Sequence, residues 1–110
     1  MPNIAIGDEK GSVDTFHTCT CCDPTTTTNE CSETVFVGGT GVVTFGDNNT
    51  EHNELDYVDS NGNDVCVSHS VTLSEGSSTV FVDGKQVGRE GDKYGAEEIT
   101  SAGQTSVLAG

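Results

Sequence analysis

Residues 34–47, TVFVGGTGVVTFGD, and residues 79–92, TVFVDGKQVGREGD, are two copies of one pattern. Each copy begins with Thr-Val-Phe-Val, turns at glycine, and ends in Gly-Asp thirteen residues after its threonine. A fragment of the pattern opens the chain in residues 4–8, IAIGD, and another closes it in residues 105–110, TSVLAG. Such repetition predicts a fold built from one unit used three times, with the third unit shared between termini that lie close together.

Each complete copy has the pattern of a β-hairpin, because short runs of Val and Phe are bounded by Gly and Asp. We expect residues 35–37 to pair with 42–44, and residues 80–82 to pair with 86–88 across a tight turn at Asp83-Gly84. No window of the sequence has a sustained helical period. The sequence therefore predicts an all-β fold.

Two long segments, 9–32 and 48–70, separate the repeats, and we interpret both as loops. Residues 71–73 and 98–100 are further strand candidates. Structureless loops of this length are uncommon in a small domain and are often functional. Because the two segments contain every His and Cys of the chain, we expect a functional site built from them.

Length and charge limit the classes of function. The 110 residues predict one domain, residues 1–110, and the net charge of -14 argues against nucleic acid or anionic membrane as partners. No segment reaches the roughly 18 apolar residues of a membrane span, so stable membrane insertion is not expected. The first residues have no basic region followed by an apolar stretch, which predicts synthesis without a secretory signal. In a reducing cytoplasm the five cysteines favour metal binding over a disulfide framework.

The histidines and cysteines predict a metal site, because tetrahedral zinc takes four ligands of these types. Two pairs of close neighbours stand out, His17-Thr18-Cys19 and Cys66-Val67-Ser68-His69, and His52 lies five residues after Asp47. The spacing alone leaves the alternative of surface histidines and unligated thiols open. The full set of candidates consists of His17, His52, His69, Cys19, Cys21, Cys22, Cys31 and Cys66.

Other chemistry has weaker support. Residues 59–64, DSNGND, have the composition of a calcium loop but lack its closing Glu, and turn formation explains them adequately. No Ser-His-Asp or Cys-His arrangement lies in a strand–turn–helix context that would activate a nucleophile. Lys10 is the only cation in segment 9–32, so its thiols have no basic neighbour that would activate them. We therefore expect that the protein is not an enzyme.

The repeats resemble those of the PAAR-repeat proteins, named for a Pro-Ala-Ala-Arg stretch, which form the tips of contractile injection machines. The resemblance rests on residues 76–92, GSSTVFVDGKQVGREGD, and 33–47, ETVFVGGTGVVTFGD, and on the two chain ends. The naming stretch itself is replaced by residues 86–89, QVGR, and 41–44, GVVT. The resemblance covers essentially the whole chain.

This resemblance implies a small cone of three pseudo-threefold-related β-hairpins, with long loops tied together by a metal ion. The family holds a structural zinc near the apex with three His and one Cys, and His17, His52 and His69 match the family histidines. The family's cysteine position is occupied by residues 93–96, KYGA. As the fourth ligand we expect Cys66, with Cys19 next. Iron in place of zinc is not excluded.

The resemblance also implies a function and a partner. It suggests a structural tip protein that sharpens and caps the trimeric β-helical central spike of a contractile phage tail or a type VI secretion system, and that helps it pierce the target envelope. One copy would bind per spike trimer, and contact with the envelope would be transient. Such a protein would be made in the host cytoplasm, assembled into the virion tail or injection apparatus, and delivered to the target cell surface. The alternative is a small cytoplasmic metal-binding or redox-active thiol protein.

Overall fold

Ten short strands and no helix make up the fold, which is described here from a computed structural model of all residues 1–110. The all-β prediction is thereby confirmed. No helix with the length and apolarity needed to cross a bilayer is present. The strands are β1 (Ser12–Asp14), β2 (Thr25–Thr27), β3 (Phe36–Val37), β4 (Thr40–Gly41), β5 (His52–Val58), β6 (Asp64–His69), β7 (Phe81–Val82), β8 (Lys85–Gln86), β9 (Lys93–Tyr94) and β10 (Glu97–Ser101).

A closed ring joins three segments that occupy equivalent positions in the three repeat units, namely residues 4–6, 42–44 and 87–89. Each segment pairs with the next through one antiparallel bridge: Ile6 with Val42, Thr44 with Val87, and Arg89 with Ile4. Three backbone hydrogen bonds link the central residues of these segments. The Ala5 N–H donates to the Gly88 carbonyl (2.9 Å), the Gly88 N–H donates to the Val43 carbonyl (2.8 Å), and the Val43 N–H donates to the Ala5 carbonyl (2.9 Å). The ring closes because every segment donates to one neighbour and accepts from the other.

The two predicted hairpins form, although their strands are shorter than expected. Phe36 pairs with Gly41 and Phe81 with Gln86, across turns whose two central residues all have positive φ. This backbone favours glycine and, at Asp83 (φ 54°), tolerates aspartate, and it matches the twist of the flanking strands. The second strand of each hairpin ends early because the following residues pair within the ring.

The termini meet, as the shared third unit predicts. Asn3 forms a bridge with Leu108, and the Ala109 N–H donates to the Pro2 carbonyl at 3.0 Å. The largest core cluster packs ring residues against the four-stranded sheet β2-β1-β10-β9. Its buried members are Ala5, Val13, Val43, Leu73, Tyr94, Ile99 and Ala102.

The interpretation of residues 48–70 as a loop is wrong, because they contain the longest hairpin of the molecule, β5–β6. Its two strands pair only with each other, and the molecule measures 49 × 23 × 22 Å. At the turn the Asp59 carboxylate accepts from the N–H groups of Asn61 and Asn63, both at 2.9 Å, as the turn interpretation predicts. Leu55, Tyr57 and Val58 are exposed, so the hairpin has no buried face to reveal its alternation in sequence.

The remaining predictions for the connecting segments are mixed. Residues 9–32, also interpreted as a loop, supply β1 and β2 of the four-stranded sheet. Residues 98–100 lie within β10 as predicted, whereas residues 71–73 form no strand and only Thr72 makes a bridge. These short strands form by pairing with residues far away in the sequence, such as β1 with β10, and local composition does not predict such pairing.

Candidate metal centre

The three histidines of the chain come together at the base of the β5–β6 hairpin. His52 opens β5 and His69 closes β6, and the register of the hairpin places them directly opposite each other. His17 follows β1 and joins them after Phe16, which adopts a positive φ of 61°. A non-glycine residue in this conformation is uncommon and is found preferentially at functional sites.

Glu97, the first residue of β10, completes the group, which we call the histidine cluster (His17, His52, His69 and Glu97). Glu97 Oε2 lies 2.9 Å from His17 Nε2, 2.7 Å from His52 Nε2 and 3.3 Å from His69 Nε2. His69 Nε2 lies 2.8 Å from that of His52 and 3.4 Å from that of His17. Tetrahedral zinc with bonds near 2.0 Å would separate its donor atoms by about 3.3 Å. The four donor atoms therefore converge on one point, and the three shortest of these distances would lengthen when an ion entered.

Hydrogen bonds behind the cluster fix which atoms face its centre. His52 Nδ1 lies 2.7 Å from the Thr50 carbonyl, to which it can only donate, so the lone pair of Nε2 points toward the Glu97 carboxylate. Glu97 Oε1 accepts from Asn49 Nδ2 at 2.8 Å, which leaves Oε2 for the centre. In a neutral His52 ring these are two acceptors that face each other, and they repel unless a proton or a metal cation lies between them. Such outer contacts of ligand His and carboxylate groups are typical of metal sites.

Burial strengthens the need for a cation. The side chains of His52 and Glu97 are only 2% and 3% exposed, whereas those of His17 and His69 are each 23% exposed. A buried carboxylate is costly unless an opposite charge compensates it. No Lys or Arg forms an ion pair with Glu97, and the single such pair in the molecule joins Arg89 to Asp92. A divalent metal ion bound by the histidine cluster would supply the missing positive charge.

Glu97 is the candidate metal ligand that the sequence analysis does not include. The repeats themselves carry the signal that could have found it. His52 lies five residues after Gly46-Asp47, and Glu97 lies five residues after Gly91-Asp92. The two side chains thus occupy equivalent positions of two repeats, and the structure brings them to the same centre.

The expected fourth ligand, Cys66, does not lie in the histidine cluster. It precedes His69 by three residues within β6, and residues an odd number apart on a strand face opposite sides. Three residues of strand also span about 10 Å. Two ligands with two residues between them can bind the same metal ion when they lie on a turn. On a strand the same spacing places their side chains on opposite faces. Cys19, the next candidate, also lies away from the histidines, beside Cys66 at an Sγ–Sγ distance of 3.5 Å.

The expectation that the cysteines avoid disulfides is also corrected. The structure joins Cys19 to Cys22 and Cys21 to Cys66, and only Cys31 is free. The pairs form because segment 9–32 folds back onto β6. Burial, followed by the nearby carboxylates of Asp8 and Asp47, raises the pKa of the Cys31 thiol and thereby disfavours its reactive thiolate form.

The donor atoms of the histidine cluster are of the kinds that can hold a metal ion. Imidazole and carboxylate suit zinc or another divalent transition metal, and the cluster contains no nucleophile. Neither protein-family models nor curated proteins give a match to the chain. The case for a function therefore depends on the geometry of the molecule itself.

Proposed function

We propose that this protein is a PAAR-like tip protein that caps the trimeric β-helical spike of a contractile injection machine, in a phage tail or a secretion system. The observation that carries the proposal is the closed ring of residues 4–6, 42–44 and 87–89. Because its three bridges repeat around one centre, a single chain offers nearly the same surface three times. A monomer built in this way suits the end of a threefold partner, and we infer that the ring lies in a pseudo-threefold cone.

Exposed apolar side chains support a docking face beside the ring. Phe36 and Phe81 occupy the same position of two repeats and are each 55% exposed. In the two complete repeats the Val42 N–H donates to the Val35 carbonyl and the Val87 N–H donates to the Val80 carbonyl. In the unit formed by the termini, the Ile4 N–H donates to the Val107 carbonyl in the same way. Leu108, the residue after Val107, is therefore the equivalent of Phe36 and Phe81. It is also exposed. Phe36, Phe81 and Leu108 form our proposed docking face.

Val43 and Val87, which also belong to the repeats, do not contribute to this face. Both are fully buried. Val43 belongs to the core cluster that contains Tyr94, and Val87 to a second cluster with Ile4, Val42 and Ala109. They stabilise the ring from inside and present nothing to a partner.

The histidine cluster gives the proposal its mechanical part. It joins both strands of the β5–β6 hairpin to the start of β10 and to the segment after β1. Zinc bound there would tie four separate parts of the chain to one point, and its binding free energy would add to the free energy of folding. A hairpin anchored in this way would bend less under an axial load.

Co-expression with a trimeric β-helical spike from the same genome tests the proposal. We expect a complex with one copy of this chain per trimer, measured by native mass spectrometry. Phe36→Asp with Phe81→Asp should abolish the complex, because carboxylates would be buried against the spike. Tyr57→Asp is the matched control, because Tyr57 is an equally exposed aromatic residue (55%) on the hairpin, and it should leave the complex intact.

Three copies per trimer would contradict the proposed symmetry, and loss of binding in the Tyr57 variant alone would move the interface to the hairpin. The disulfide at Cys19-Thr20-Cys21-Cys22 is the one observation that favours the alternative, a small thiol protein. Such a protein needs no spike, so folded protein that binds no trimer would support that alternative.

A further inference from the structure

Four of the five cysteines gather in a second cluster, separate from the histidines, which we call the cysteine cluster (Cys19, Cys21, Cys22 and Cys66). The Sγ atoms of Cys19, Cys21 and Cys66 lie within 4.8 Å of one another, and Cys22 is bonded to Cys19. We propose that, once reduced, these four thiols bind a second metal ion, a zinc held tetrahedrally by sulfur alone.

Contacts that involve no sulfur hold the cysteine cluster together. The Asp64 carboxylate accepts from the N–H of Thr20 at 3.0 Å and from its hydroxyl at 3.1 Å. Asp64 and Cys66 are two residues apart on β6, so both face the loop that carries the other cysteines. Nearby, the Asn53 N–H donates to the Asp23 carboxylate at 2.8 Å. The loop therefore stays on the hairpin when the disulfides are reduced, and the four sulfurs stay close to one another.

The local backbone also suits a metal. The Cys22 N–H donates to the Cys19 carbonyl at 3.3 Å, so Cys19 and Cys22 flank a tight turn with two residues between them. Two cysteines with this spacing on a turn are a common half of a four-cysteine zinc site. Cys21 and Cys66 face the same point and supply the other half.

Charge decides between free thiols and a metal complex. The only cation of the loop segment, Lys10, donates to the Thr40 hydroxyl at 3.1 Å, so no basic side chain is available to stabilise thiolates. A divalent ion supplies that charge directly, and each of the four thiols loses one proton on binding it. The two disulfides are the oxidised form of the same four sulfurs. A dithiol reductant returns two electrons and two protons to each disulfide and leaves as its own cyclic disulfide.

Position and donor type make this site independent of the histidine cluster. Cys66 and His69 face opposite sides of β6 and lie about 10 Å apart along the strand. One cluster offers nitrogen and oxygen, and the other offers only sulfur, which prefers soft ions. Metal bound at the two sites can therefore be told apart by spectroscopy.

Metal counting on the full chain, purified anaerobically with dithiol and then loaded with zinc, tests the inference. We expect two zinc ions per chain in the unmodified protein and in Cys31→Ser, the matched control for loss of a thiol. Cys66→Ser and His52→Ala should each retain one ion. X-ray absorption of the one-zinc His52→Ala protein should show only sulfur neighbours, at about 2.3 Å.

Cobalt(II) loading provides a readout that does not depend on how well one variant folds. Cobalt bound by thiolates has an intense sulfur-to-metal charge-transfer absorption, which cobalt bound by imidazole and carboxylate lacks. We expect this absorption in the reduced unmodified protein and in His52→Ala, and its loss in Cys66→Ser and in Cys22→Ser. No such absorption in the reduced unmodified protein, or an unchanged metal content in both cysteine variants, would overturn the inference. Failure of the histidine cluster alone would leave these signals intact.

Discussion

The histidine cluster and the cysteine cluster lie on opposite faces of the same strand, β6, and are built in different ways. The first collects ligands from four separated parts of the chain, and the side chains of His52 and Glu97 are almost fully buried. The second joins one short loop to one strand, and its cysteines are only partly buried. We infer that the histidine cluster supports the whole fold, whereas the cysteine cluster fastens a local part of the hairpin.

The largest expected effect concerns Glu97, because its carboxylate is the only oxygen ligand offered by either cluster. Glu97→Gln should weaken zinc binding at the histidine cluster by more than about 100-fold, because even residues behind the ligands are worth 10- to 100-fold. Competition with a chromophoric zinc chelator measures this affinity. The control is Glu98→Gln, the adjacent carboxylate in β10, for which the affinity should stay unchanged. Equal affinities in the two variants would remove Glu97 from the site.

A second experiment compares the reach of the two clusters. Cys66→Ser should remove the sulfur link between the loop and the hairpin, whether a disulfide or a metal forms it, and leave only the Thr20–Asp64 and Asn53–Asp23 contacts. Hydrogen exchange of the β5–β6 amides should therefore become at least about tenfold faster. The ring amides of Ala5, Val43 and Gly88 should keep their protection. In Glu97→Gln both regions should lose protection. Equal loss of protection of the ring amides in the two variants would show that both clusters stabilise the ring to the same extent.

The smallest expected effect compares a buried tyrosine of the core with an exposed one of the hairpin. The Tyr94 hydroxyl is buried without a hydrogen-bond partner, and this burial, with smaller contributions from Asp47 and Cys31, raises its pKa and keeps it neutral. Tyr94→Phe removes an unsatisfied polar group and should increase the free energy of unfolding by about 1 kcal/mol, or about 5 °C in Tm. Tyr57→Phe on the hairpin should change stability by less than about 0.5 kcal/mol. A loss of stability in Tyr94→Phe would reveal a partner for the hydroxyl.

The sequence predicts the parts of the fold that repeat. The Thr-Val-Phe-Val runs and their Gly turns predict the two hairpins β3–β4 and β7–β8, and the fragments at both ends predict that the termini meet. The β5–β6 hairpin escapes prediction because its apolar residues, Leu55, Tyr57 and Val67 among them, face solvent on both sides. Without a buried face there is little alternation to detect.

The candidate site is predictable in part, for a similar reason. The histidines stand out because the chain has only three, none of them within residues 34–47 or 79–92. Glu97 does not, since it is one of 18 acidic residues and only the repeat register distinguishes it. The prediction of Cys66 as a ligand assumes that Cys66 and His69 lie on a turn, where a two-residue gap brings side chains together. Both residues lie on β6, where the same gap places them on opposite faces, and no local sequence feature predicts that strand.

The pairing of the two chain ends affects when the third repeat unit can form. The Ile4 N–H donates to the Val107 carbonyl at 2.9 Å, so this bond cannot form until Val107 has been synthesised. The ring itself needs no residue beyond Arg89, but the unit formed by the two chain ends can pair only after residues near 107 have left the ribosome. A chain that stops before Val107 should therefore leave this unit open and be cleaved by proteases more readily.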